Sequence, residues 1–120
     1  MAVSQEYLDF IQETLEAFGP VDTRRMFGGA GVFRDKLMFG LIADEQLYLK
    51  ADDLNRPDFE AEDCPAFVYE TKDGKRTVMS YSLVPERLYD DPEELAEWAR
   101  KAYDAALRGD AATAKRKKKA

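Results

Sequence analysis

The sequence predicts an α+β domain of two layers, an antiparallel sheet with its helices gathered on one face. Three observations carry that reading. Segments alternating apolar and polar residues follow one another closely between Val21 and Ala51, separated by turns of two or so residues. Apolar stripes at helical spacing lie at both ends of the chain. Glycine or proline stands at the limits of most of these segments. The order is helix, three or four strands, short helix, two strands, long helix.

Ser4 is placed to cap the first helix, whose apolar stripe is Leu8, Ile11, Leu15 and Phe18. Gly19 and Pro20 stop it. Val21 to Phe27 reads as extended, the Gly28–Gly29 cluster as a sharp bend, and Ala30–Arg34 as the returning strand. Asp35-Lys36 turns the chain into Leu37–Ala43, and Asp44-Glu45 turns it again into Gln46–Ala51. Simple alternation in the first of these puts Leu37, Phe39 and Leu41 on one face and Met38, Gly40 and Ile42 on the other. In the second, Leu47, Leu49 and Ala51 oppose Gln46, Tyr48 and Lys50.

A short helix is expected over Leu54–Ala61, capped by Asp52 or Asp53, with Pro57 in its first turn. Ala66–Thr71 and Arg76–Leu83 form a hairpin around Lys72-Asp73-Gly74-Lys75, and Pro85 breaks the run. Asp91, Pro92 and Glu94 make the strongest helix start in the chain: a cap, a proline at the first position, and a glutamate able to reach back. The buried stripe of that helix is Leu95, Trp98, Ala99, Ala102 and Ala106, and Gly109 is expected to end it. Residues 1–108 then form one domain, and 109–120 a disordered basic tail.

Charge divides the same way. The chain carries −6, yet residues 115–119, KRKKK, are all basic, which leaves residues 1–114 at −11, with 13 basic and 24 acidic side chains. An acidic body repels a phosphate backbone, so only the tail is expected to touch nucleic acid, weakly and without sequence preference. No apolar run approaches the ~20 residues of a membrane span. The N-terminus lacks the basic start and apolar stretch of a secretory signal. Cys64 is the single cysteine, and Glu62 and Asp63 beside it disfavour a thiolate. Together these point to a cytoplasmic protein.

Catalytic machinery is sparse. With no histidine, the Ser–His–Asp and Cys–His arrangements and the commonest zinc ligand are all excluded. GAGVFR from Gly29 begins like a dinucleotide fingerprint, but Arg34 stands at the third glycine and a strand follows. The paired carboxylates sit where helix caps, first turns or solvated faces account for them. No catalytic residue, cofactor or metal is therefore expected. Arg24 and Arg25, before the glycines, are the best candidates for a specific contact. They read either as a clamp for a small carboxylate or phosphate or as members of structural salt bridges. Adjacent strand residues face opposite ways, so only one of them reaches a ligand easily. The sheet's second face, mixing Tyr48 and Lys50 with an aromatic from the second hairpin, reads as a dimer or partner surface, or as an ordinary solvated face.

RRMFGGAGVF, then MFGLIADEQLYLKADDLNRPDF, PAFVY, MSYSLVPE and DDPEELAEWAR, resemble in that order the N-terminal domain of the TfoX/Sxy competence regulators, over residues 4–108. The resemblance implies an α-β(3)-α-β(2)-α secretion-chaperone-like fold. It implies a non-enzymatic regulatory module that binds a protein partner, the cyclic-AMP receptor protein in longer members, which carry a helical C-terminal domain where this chain has KRKKKA. It implies no catalytic residues; Arg24, Arg25, Gly28, Gly29 and Lys50 match motif positions. A homodimer and, as an alternative, a small-anion or metabolite site at the bend are the further expectations.

Overall fold

The computed structural model describes residues 3–26, 29–70 and 73–119, with the backbone alone at 69–70, 76–79 and 112–119. The elements run α1 (Gln5–Thr14), β1 (Asp22–Met26), β2 (Gly29–Arg34), β3 (Leu37–Ala43), β4 (Gln46–Lys50), α2 (Arg56–Ala61), β5 (Ala66–Glu70), β6 (Arg76–Leu83), a 3-10 helix (Glu86–Asp90) and α3 (Pro92–Lys119). All strand pairs are antiparallel, in the spatial order β1-β2-β3-β4-β6-β5. The α+β class is as the sequence predicts. The family-implied three strands before α2 are four, because Asp22–Met26 pairs with β2 along its whole length.

Both two-residue hairpin turns hold left-handed backbone at residues other than glycine: Asp35 and Lys36 at φ 51° and 68°, Asp44 and Glu45 at 52° and 55°. That mirror-image turn matches the right-handed twist of the strands, which is why the chain tolerates it. Ser4 Oγ accepts the Tyr7 N–H at 3.1 Å and caps α1 as expected. Leu8, Ile11, Leu15 and Phe18 are all buried, although the α-helix stops at Thr14 and a turn carries the last two.

Four local expectations are corrected. First, β3 does not alternate simply. Val32 pairs with Gly40 and Phe33 with Met38, so Phe39 is an extra, bulged residue. The bulge lets Phe39 and Ile42 both enter the core, where each is fully buried. Second, α2 begins at Arg56, and neither Asp52 nor Asp53 caps it. Asn55 Oδ1 accepts the Asp52 N–H at 2.7 Å and its Nδ2 donates to the Lys50 carbonyl at 2.9 Å, holding a turn ahead of the helix. Third, Asp91 does cap α3, its Oδ1 accepting the Glu94 N–H at 3.2 Å, but Glu94 turns its carboxylate to Arg87 at 2.8 Å instead of reaching back. Fourth, α3 runs through Gly109 to Lys119. A helical glycine costs only about 1 kcal/mol, too little by itself to end a helix whose flanking residues, Asp110 apart, are the good helix formers alanine, leucine and arginine. Thr71 and Lys72 of the expected second hairpin, Phe27, Gly28 and the side chains of the basic run lie outside the described residues.

One contiguous core joins the layers. The inner face of the sheet (Ala30, Val32, Ile42, Leu47, Leu49) packs on Leu8, Ile11 and Leu15 of the first helical segment, Phe59 of α2, and Leu95, Ala99, Ala102 and Ala106 of α3. Alanines on α3 bring its backbone close to β3 and β4, which leaves room for the large rings of Phe39, Phe18 and Tyr103, packed 5.2–6.1 Å apart. No helix of the described residues is long and apolar enough to cross a membrane.

Candidate functional site

Strand register decides where the motif cations go. Arg24 pairs with Gly31 and Arg25 with Ala30, so the two arginines leave β1 on opposite faces. Arg25 turns to the helix side, where its Nη1 donates to the Val3 carbonyl. Arg24 stays on the outer face, with its guanidinium 5.4 Å from the ring centre of Phe33. Lys50 is on that outer face too, 5.2 Å from the Tyr81 ring. It stands three strands from Arg24, however, and two residues further along its own strand than Tyr48, which is level with Arg24, so the two are separated by about 16 Å. The structure therefore brings Arg24 and Lys50 to one face without closing them on one small ion, and it separates Arg25 from both.

Gly29 has a structural task. A Cβ there would stand 2.2 Å from the Ile42 carbonyl oxygen, so β2 and β3 approach closely only because the position is bare. Gly28 lies outside the described residues. Among those described, no group of three or more Cys, Asp or Glu side chains is placed to hold a metal ion.

The feature that does assemble on the motif is the uncovered outer face of the sheet. Cross-strand partners form one row, Arg24, Gly31, Leu41, Tyr48 and Leu83, from β1 to β6. Over Gly31, at one end, gather Phe33 Cε1, Met26 Cε and Met38 Sδ, which a Cβ would meet at 2.8–3.2 Å. At the other end Phe67 packs edge-on against Tyr48, ring centres 5.0 Å apart. Burial among these neighbours, then the Asp44 carboxylate, raise the Tyr48 phenol above its ordinary value. Met26, Phe33, Met38, Leu41, Tyr48, Phe67 and Leu83 are each half-buried. The sequence reading named Tyr48, Lys50 and an aromatic of the second hairpin here. It missed the methionines and Phe33, which reach this face only through the register of β1 and β2 and the bulge in β3. Their signal was a cluster of large apolar residues too numerous for one sheet face.

Residues 13–106 match the family model described as the TfoX N-terminal domain. Over 97 residues the chain is 27% identical to Protein Sxy of Escherichia coli (strain K12), covering 81% of this chain and 46% of that protein. It thus spans about half the length of the curated relative it matches.

Proposed function

Because the chain belongs to the TfoX N-terminal domain family, we propose that it is a non-enzymatic regulatory module that docks through the outer face of its sheet, first to a second copy of itself. The row Leu41–Tyr48–Leu83, extended by Phe67 and the Met26–Phe33–Met38 cluster, supports this reading. Apolar surface gathered on one face with no covering layer gains by meeting its like. A two-fold axis through Leu41 and Tyr48 matches apolar centre to apolar centre. The body carries a net negative charge, so association of two copies works against repulsion and needs an apolar contact to offset it.

Six strands about 4.8 Å apart and some five residues long present a face of roughly 500 Å², short of the ~800 Å² per partner of a standard interface. The association is accordingly weak and concentration-dependent. It leaves the helix side free for a protein of the transcription machinery, the cyclic-AMP receptor protein being the one the family resemblance implies. Geometry disfavours the alternative small-anion site at the bend, since Arg24 and Arg25 point apart.

Sedimentation velocity over a range from micromolar to millimolar protein tests the dimer. The wild type shifts towards twice its mass as concentration rises, and Leu41→Glu stays monomeric with an unchanged circular dichroism spectrum. A wild type that stays monomeric throughout, or a Leu41→Glu variant that associates equally, overturns the reading.

A further inference from the structure

A cleft of about 660 Å³ lies between α1, the β3–β4 turn and the 3-10 helix, lined in part by Tyr7, Phe10, Glu45, Glu62, Glu86 and Tyr89. It borders the outer sheet face at Leu83, the last residue of the row described above. Phe10 stands off the buried stripe of α1 and is 42% exposed, a large ring held open to solvent. It is not loose: its ring packs on Tyr89 at 6.0 Å and 29° and on Tyr7 at 5.9 Å. The Tyr7 and Tyr89 hydroxyls lie 3.5 Å apart, and Tyr89 Oη also accepts the Leu47 N–H, so the aromatic floor is anchored to the sheet.

Carboxylates surround that floor. Arg87 also borders the cleft, but its guanidinium is taken up by Glu62 and Glu94. Neither Glu45 nor Glu86 is in an ion pair among the described residues. An exposed π-face beside unneutralised carboxylates in a concave site suits a planar, weakly hydrated cation. The same chain shows how such a cation seats. Arg34 lies 4.5 Å from the Phe18 ring centre and 5.9 Å from that of Tyr103, while Nη1 donates to the Phe18 carbonyl at 2.8 Å. At Phe10 the ring and the acceptors are present, and no cation of the described residues lies over them.

We propose that this cleft binds an arginine side chain presented by a partner protein, its guanidinium on the open face of Phe10 and its charge met by Glu45 and Glu86. The proposal does not rest on docking through the sheet, although Leu83 borders both surfaces. Neither Phe10 nor Glu45 is one of the buried core residues, so each can be substituted without opening a cavity in the core itself.

The test is an NMR titration of the intact chain with two glycine–serine hexapeptides, one carrying a central arginine and the other citrulline, its uncharged isostere. The arginine peptide is expected to move the ring signals of Phe10, Tyr7 and Tyr89 and to bind at least about fivefold more tightly than the citrulline peptide. Phe10→Ala and Glu45→Gln each weaken it by about fivefold or more. Equal binding of the two peptides assigns the cleft to a neutral segment and overturns the proposal. So do shifts confined to the outer sheet face, or unchanged affinity in both variants. Loss of dimerisation in Leu41→Glu has no bearing on this result, so the two readings fail separately.

Discussion

Tyr89 Oη accepts the N–H of Leu47 at 3.1 Å, while the Leu47 carbonyl takes the Val84 N–H at 3.0 Å. A side chain from the 3-10 helix thus satisfies a donor of β4 at a residue with no solvent exposure. Tyr89→Phe leaves that donor without a partner while keeping the ring. The expected loss is about 1–3 kcal/mol of unfolding free energy, read from urea denaturation, with faster hydrogen exchange at the Leu47 amide. Unchanged stability and exchange would mean that water reaches the amide and that the tyrosine is dispensable there.

Asn55 is 3% exposed and bonds to two backbone groups, the Asp52 N–H and the Lys50 carbonyl. Replacing it with leucine keeps much of the volume and strands both groups. Each costs about 1–3 kcal/mol when buried without a partner, so Asn55→Leu is expected to lower the melting temperature by several degrees or more. A variant that melts with the wild type would refute the buried turn.

Two glycines predict opposite signs. At Gly29 a methyl group collides with the Ile42 carbonyl oxygen, whereas at Gly109, inside α3, a Cβ meets nothing within 4 Å. Gly29→Ala should destabilise by about 1–3 kcal/mol through forced strand separation. Gly109→Ala should stabilise α3 by about 0.5–1 kcal/mol. Destabilisation by Gly109→Ala would show that α3 ends at that residue after all.

The Asp52 carboxylate accepts from Arg108 Nε at 2.7 Å and Nη2 at 2.9 Å, tying the turn before α2 to the middle of α3. Those bonds, ahead of the opposing effect of burial, hold its carboxyl below the ordinary carboxylate range; Arg87 does the same to Glu62 and Glu94. A carboxyl with a depressed folded-state pKa contributes stability that is complete above its unfolded value near 4 and lost as pH falls through the folded value. Stability should therefore be flat from neutrality down to about pH 5 and fall below it. In Arg108→Gln the fall should be shallower and the neutral-pH stability slightly lower. An identical pH profile in that variant would remove the Asp52 contact from the account.

Burial, followed by the Glu62 and Asp63 carboxylates, raises the Cys64 thiol above its ordinary value, and Sγ donates to the Glu62 carbonyl at 3.6 Å. Iodoacetamide at pH 7.5 should alkylate the folded chain several-fold more slowly than the urea-unfolded chain, because less thiolate is present. Equal rates would contradict the placement of this side chain.

Most element boundaries were legible because they rest on nearest-neighbour chemistry. Ser4, Asp91 and Pro92 mark helix starts by what their own side chains offer the next turn. Asp35-Lys36 and Asp44-Glu45 were recognisable as turns by their position between alternating segments, despite lacking the glycine such turns prefer. Phe39 was not legible: a bulge depends on the partner strand, and β3 read alone alternates without interruption. Glu94, and Asp52 or Asp53 as the cap of α2, were misassigned for a related reason. Glu94 had a good local partner in sequence and a better one, Arg87, supplied by a neighbouring segment, while Asn55 holds the turn before α2 through the Lys50 carbonyl.

The motif cations show the same division. Period-two alternation alone required Arg24 and Arg25 to part. That Lys50 joins Arg24 on the outer face, about 16 Å away, needed the order of the strands.

From its residues alone this chain determined an acidic two-layer α+β domain without histidine chemistry, because composition and hydrophobic period are local properties that survive any arrangement of the elements. Only the tertiary structure decided that β6 lies against β4, that Phe67 reaches Tyr48, and that Phe10, Tyr7 and Tyr89 share one cleft. Those contacts join residues up to 82 positions apart. Their formation depends on which faces remain uncovered once the core has closed.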